Sequence, residues 1–442
     1  MKPLLFFLFT LPMLFSLQHL ETPAQSPQDF GKIWDKQHIS SLPPSQVRHK
    51  DLQNYLEKLK SLGLKIGEAG RSYGNREIYQ IEFGKGATRV FMWSQMHGDE
   101  PTATSALIDL LAFLQTNRDK KWVREIEEKL TIRAVPMLNP DGAELFQRRN
   151  LQWIDINRDA RALQTPEGRL LKKLRDEWQP HLGFNLHNQN SLTAAGNTNR
   201  QAVVSLLAVS GNPQGKSDEK HLRSRRICAV MVEALSHFIK GGIGRYDDAY
   251  NPRAFGDNFS AWGTPAILIE TGAMYGKDEM FLVKVNFVAY LAALRSIVTG
   301  SETKAEPGLY DTLPFNDVGN LYNVLIRKAT IVNLPETGAP FVSDLGIAAD
   351  RRRAGEETLL TVRETGDMSI GSFGLEEYDA ENFYLVPRAG TLRAGVAADF
   401  LFYKKSRRID WKATDLETRF PPDAVYKNGK WLKGERVVPK ID

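Results

Sequence analysis

From residue 49 to residue 300 the apolar positions switch repeatedly between two spacings. Over 49–62, Leu52, Tyr55, Leu56, Leu59 and Leu62 recur every three or four residues, which predicts an amphipathic helix. Apolar runs over 64–69, 77–83 and 88–94 predict strands. They are parted by the turns Gly70-Arg71-Ser72-Tyr73-Gly74 and Gly84-Lys85-Gly86. Helical spacing returns up to about residue 115, with Leu107, Leu110, Leu111 and Leu114 on one side, and again over the charged stretch 121–129. After a strand at 130–135 the alternation continues with helix 166–178, strand 182–186, strand 202–209 and helix 219–239. A polar loop at 241–258, strand 266–269 and helix 279–298 complete it. Such alternation predicts one large α/β domain on a mixed, mostly parallel sheet flanked by helices.

On either side the pattern differs. Residues 21–48, with Pro23, Pro27, Pro43 and Pro44, read as an irregular lead-in. Residues 301–317 are polar and read as a linker. From 318 to 442 only short apolar runs occur (321–326, 330–332, 358–362, 384–386, 400–403 and 424–431), and Asn428-Gly429 is a strong hairpin turn. This predicts a smaller, all-β, sandwich-like C-terminal domain. At the start, Lys2 precedes an apolar stretch from Leu4 to Leu17, too short for a comfortable membrane span. It reads as a signal peptide over 1–24, so the expected location is periplasmic or secreted. The expected domains are therefore a signal at 1–24, a large domain at 25–300, a linker at 301–317 and a β-rich domain at 318–442. No other segment reads as a membrane span.

Composition changes little. The 442 residues are 42% hydrophobic and 25% charged, as in ordinary folded proteins. The net charge of +5 is scattered and no nucleic-acid motif occurs, so the excess reads as solvated surface charge. Cysteine does alter the picture. Cys228 is the only one, which excludes an intrachain disulfide and leaves any metal site to His, Asp and Glu. Cys228 itself lies in a helical pattern and reads as a small buried hydrophobe.

Candidate chemistry concentrates at Gln95-Met96-His97-Gly98-Asp99-Glu100-Pro101-Thr102, on a predicted strand-to-helix turn. His97 and Glu100 come from one turn and can reach one ion. A catalytic zinc needs a third protein ligand and an open position. His187, in Asn185-Leu186-His187-Asn188-Gln189 at the end of an apolar strand, is the best candidate, since ligands gather outside the carboxyl ends of strands. Alone, H-x-x-E is a weak motif.

Further motifs follow in order: Asn139-Pro140-Asp141-Gly142, then Arg148-Arg149-Asn150, then Asp155-Ile156-Asn157-Arg158-Asp159, and Glu270-Thr271-Gly272 at a strand end. This succession resembles the zinc carboxypeptidase family of carboxypeptidase A over about residues 45–300, and its bacterial branch in particular. The resemblance implies one Zn2+ per chain on His97, Glu100 and His187, with Glu270 as general base. It implies that Arg148, rather than Arg149, stabilises the oxyanion and that Asn157 and Arg158 grip the substrate's terminal carboxylate. A mobile tyrosine is also implied, for which Tyr250 fits the spacing better than Tyr246. Asp257 either selects basic side chains or caps a turn.

The expectation is thus an exported zinc metallocarboxypeptidase acting on peptides or cell-wall peptides, with no nucleic-acid partner. Two alternatives stay open: an aspartoacylase-type deacylase of N-acyl amino acids, and an inactive peptide-binding protein. Trp153 and Asp159-Ala160 depart from the family pattern. The tail faintly resembles the β-sandwich that flanks the barrel of amidohydrolases, and no histidine follows His237 there.

Overall fold

The structure is a computed structural model and describes residues 26–247, 249–334, 339–434 and 437–441. The expected signal segment lies outside the described residues.

The large domain is built on an eight-stranded mixed sheet. Across it the strands run Lys65–Arg71, Glu77–Gly84, Leu130–Val135, Thr88–Ser94, Leu182–Asn188, Ala266–Thr271, Val204–Val209 and Ile243–Arg245. Thr88–Ser94 pairs in parallel with neighbours on both sides, and Leu182–Asn188 pairs in parallel with Ala266–Thr271. From Thr88–Ser94 the chain goes next to the strand on one side and later to the strand on the other. A topological switch point therefore opens at its carboxyl end, where an α/β sheet leaves a crevice. These central strands are buried on both faces, which explains their near-continuous apolar runs.

Helices cover both faces. Thr102–Thr116, Glu219–Ser236 and Glu279–Thr299 pack with the N-terminal helices over one core, which includes Leu107, Leu111, Phe287 and Leu291. Phe91, Trp93, Phe255 and Phe259 centre the core on the other face. By length and mean hydropathy (1.6), Glu279–Thr299 is apolar enough to cross a membrane, contrary to the expectation that no such segment follows residue 24. With 78% of that stretch buried within the protein, it serves as a core helix.

Three further expectations need correction. The lead-in is not irregular, because Pro27–Gln37 is a helix. Ser26 caps it, the Ser26 and Asp29 side chains bonding each other's backbone N–H, and Pro27 stands in the first turn, where a missing N–H costs nothing. The helix is anchored by the Trp34 indole N–H, which donates to buried Asp109 at 2.9 Å. The polar loop 241–258 also contains an edge strand, Ile243–Arg245, and leads into a short helix, Phe255–Ala261. Residues 301–317, expected as a linker, carry a helical turn at Gly308–Asp311 and a strand at Asn316–Asp317 that pairs with Ala194–Ala195. Tyr310 is buried there, and its hydroxyl accepts from the Ala208 N–H.

The C-terminal residues are β-rich, with one helical turn at Leu416–Arg419 where an all-β domain was expected. Their strands form one nine-stranded sheet that branches at Leu321–Ile331, which pairs with Phe341–Ala349, Phe373–Asp379 and Phe383–Pro387. Ile326, Leu345, Phe400 and Phe402 lie in its core. Asn428 and Gly429 turn the last hairpin with φ of 46° and 85°, as the two positive φ angles of a type I′ turn require.

Candidate metal and catalytic site

The His97 turn is held by its neighbours. Gln95 adopts a left-handed backbone (φ 50°), which is strained for a side chain of this kind. Its amide stabilises that conformation: Nε2 donates to the Gly98 carbonyl at 2.9 Å and Oε1 accepts from the Thr104 hydroxyl at 2.7 Å. Asn139-Pro140-Asp141-Gly142 packs directly against this turn. The Asn139 amide caps its own short helix through the Gly142 N–H and donates to the Met96 carbonyl. Buried Asp141 accepts from the Gly74 N–H and from Arg76. Nothing in this motif touches the candidate metal position; it fixes the backbone that carries His97.

His187 arrives from the sheet, and the register of the parallel ladder sets Glu270 beside it on the next strand. Asn188 ties the strand to the turn: its N–H donates to the Glu100 carboxylate at 3.1 Å, and its side chain bonds Thr102 twice.

His97, Glu100 and His187 are all buried, with donor atoms within 4.8 Å of one another. The Glu100 carboxylate lies between the two imidazoles, 2.8 Å from His97 Nδ1 and 2.6 Å from His187 Nδ1. Those two Nδ1 atoms are 3.2 Å apart. Two ring nitrogens and a carboxylate converging on one buried point demand positive charge there, which suits a zinc ion with an open fourth position. His97 Nε2 faces Asp155 Oδ1 at 3.0 Å, the carboxylate–histidine arrangement that orients a metal-binding ring. Burial disfavours charge on His97, but Glu100 and Asp155 outweigh it and raise its pKa to about 9.

The other candidates gather around this trio. Arg148 places Nη1 3.1 Å from a Glu100 oxygen, and its Nε donates to Asp155 at 3.0 Å. Arg149 instead points outward and donates to the Trp153 carbonyl. Glu270 lines the same cleft of about 830 Å³. Burial, reinforced by the Glu100 carboxylate, pushes its pKa well above the ordinary range. Asn157 and Arg158 also line the cleft; the Asn157 side-chain oxygen accepts from the Phe255 N–H, joining this segment to the helix that starts there.

The tyrosine is placed differently from the spacing expectation. Tyr246 lines the cleft, and Glu270 together with burial pushes its phenol up to about 12, whereas half-buried Tyr250 is not part of the wall. Asp257 lines it too, with burial raising its carboxyl to about 6. Sequence reasoning missed two features. Asp155 served only as a spacing marker, because its contact with His97 spans 58 residues of chain and no local pattern encodes it. The wall contribution of residues 349–351, from the C-terminal domain, left no local pattern to find.

Residues 51–244 match the family model described as zinc carboxypeptidase. Carboxypeptidase 2 of Trichophyton rubrum is 33% identical over 108 residues, 24% of this chain and 20% of its own length. A probable carboxypeptidase 2 of Arthroderma benhamiae is 34% identical over 99 residues, 22% of this chain and 18% of its own. The chain thus spans about a fifth of the length of these curated relatives. Among solved structures, a metallo-carboxypeptidase from Burkholderia cenocepacia is similar, with TM-score 0.48 and 16% identity, covering 58% of this chain and 70% of that one. The matched segment contains all three metal donors. Residues 51–244 are therefore similar to the zinc carboxypeptidase family.

Proposed function

We propose that this chain is an exported zinc-dependent carboxypeptidase that hydrolyses the C-terminal amide bond of peptides or cell-wall peptides. The observation that carries this reading is the buried His97–Glu100–His187 cluster with Glu270 on the adjoining strand, at the level of His187. Export rests on the apolar N-terminal stretch from Leu4 to Leu17.

Each step has a residue suited to it. His97, Glu100 and His187 hold the zinc, which when bound polarises the scissile carbonyl and activates water at neutral pH. Glu270 takes the proton of the attacking water and returns it to the leaving amine; its raised pKa brings it closer to the working pH than an ordinary glutamate. Arg148 donates to the oxyanion as it forms, and its bonds to Asp155 and Glu100 hold it in place beforehand. Arg158 offers a planar fork to the substrate's terminal carboxylate, with Asn157 beside it. This grip restricts cleavage to the last residue.

The test is release of the C-terminal residue from an N-acyl dipeptide, compared with its C-terminal amide and with a simple N-acyl amino acid. The reading expects cleavage of the free-carboxylate dipeptide above both others. Cleavage of the N-acyl amino acid alone contradicts it in favour of a deacylase.

A further inference from the structure

We infer that Arg351, supplied by the C-terminal β domain, recognises a carboxylate on the acyl side of the scissile bond, so that the enzyme prefers peptides with Asp or Glu one or two positions before that bond. The inference rests on the carboxypeptidase reading and deepens it.

The segment following strand Phe341–Ala349 is clamped onto the large domain at one point. Buried Arg353 donates to the carbonyls of Ser45 at 2.8 Å, Ala143 at 2.8 Å and Glu144 at 2.9 Å, and its guanidinium lies 4.9 Å from the centre of the Phe146 ring. The Ala354 N–H donates to the Ser45 hydroxyl, and the Gln46 amide donates to the Ala354 carbonyl. Ser45 is in turn fixed by the Glu279 carboxylate through its N–H and its hydroxyl. A segment bonded this way has a set position relative to the metal-binding turn.

Arg351 stands two residues before that anchor. It is exposed, lies 5.7 Å from the centre of the same Phe146 ring, and lines the cleft together with His97, Glu100 and Glu270. Contact with an aromatic ring leaves the N–H edge of a guanidinium available. Among the described residues Arg351 forms no ion pair, while neighbouring Asp350 is paired with Arg363 at 2.7 Å. Its charge is therefore directed into the cleft.

Arg158 acts elsewhere. It follows Asn157, whose side chain bonds the Phe255 N–H, whereas Arg351 stands beside the Phe146 ring. The two guanidiniums thus serve different parts of one cleft. With the terminal carboxylate at Arg158, the chain on the other side of the scissile bond is the part that meets Arg351. A planar cation with open donors selects a carboxylate there and repels an ammonium.

The experiment measures kcat/KM for N-acyl tripeptides that share one C-terminal residue and carry Glu, Gln or Lys one or two positions before the scissile bond. Wild type, Arg351→Gln and Arg351→Glu are compared, with thermal unfolding as a check on each fold. Wild type is expected to favour Glu over Lys about fivefold, the scale of a partly exposed charge pair, chiefly through KM and less at high salt. Arg351→Gln brings the ratio close to one and Arg351→Glu inverts it. An unchanged ratio in Arg351→Glu, with all substrates still cleaved, overturns the inference and leaves the carboxypeptidase reading standing. Failure of wild type to cleave any of them overturns both.

Discussion

His187 and Glu270 are register partners on the parallel strands Leu182–Asn188 and Ala266–Thr271. Adjacent strands lie about 4.8 Å apart, so a metal donor and a carboxylate stand side by side at one level of the sheet. Their relative position is set by backbone ladder bonds and by cores on both faces rather than by a loop. This is the sort of support a catalytic constellation needs if its distances are to persist between turnovers.

The turn bearing His97 depends on a glycine. A Cβ at Gly98 falls 1.9 Å from the Gly142 carbonyl carbon and 2.3 Å from the Ala143 nitrogen. Both are backbone atoms of the short helix that the Asn139-Pro140-Asp141-Gly142 motif starts, so neither yields by rotating a side chain. Gly98→Ala is expected to cost about 3 kcal/mol by chemical denaturation, the upper part of the range for overpacking, and to weaken zinc binding. Unchanged stability with full zinc occupancy contradicts this account of the two motifs.

Asp155 orients the His97 ring through Nε2. Asp155→Ala removes that partner while leaving all three donors in place. Zinc affinity, measured by competition with a chelator, is expected to fall between about ten- and a hundredfold. An affinity equal to wild type shows that the His97 ring is held by other means.

Much of this site is legible along the chain, and the reasons are physical. His97 and Glu100 sit where an apolar strand run changes to helical spacing. His187 and Glu270 each close a buried strand whose apolar residues announce it. The helix Pro27–Gln37 escaped because Pro27 reads as a breaker unless Ser26 is recognised as its cap. Phe255–Ala261 is only seven residues long, and its two buried aromatics, Phe255 and Phe259, lie within a polar surround. Strand Phe373–Asp379 carries Glu376 and Glu377, which blur its alternation. Tyr246 and Tyr250 are separated by one loop whose path no periodicity fixes. Arg351 reaches the cleft only through the packing of a second domain, which no local pattern encodes.

Asp257 gives a pH signature. Burial raises its carboxyl from 3.8 to about 6, so the folded state holds a proton that the unfolded chain has released across that interval. The stabilising contribution is complete below pH 3.8 and is lost as pH rises through about 6. The stability of wild type relative to Asp257→Asn should therefore decline from about pH 4 to pH 6 and then level off. Thermal unfolding of both proteins across pH 4–8 checks this; a difference that does not vary with pH contradicts it.

In the proposed function, Arg158 governs which end of a peptide is recognised. Arg158→Ala is expected to lower kcat/KM on substrates with a free terminal carboxylate between about ten- and a hundredfold, the loss of a charge-assisted bond. Activity on the corresponding C-terminal amides, already low, should change little, so the ratio between the two substrates collapses. A uniform loss on both classes points to a structural role for Arg158.

The measurement that bears most directly on the central claim pairs zinc content with peptide hydrolysis in Glu270→Gln. Glutamine keeps the shape of glutamate but cannot accept the proton. The account predicts one zinc per chain, as in wild type, and release of the C-terminal residue slowed about a thousandfold, within the range for loss of a general base. Hydrolysis at the wild-type rate, or purified protein that binds no zinc, contradicts it.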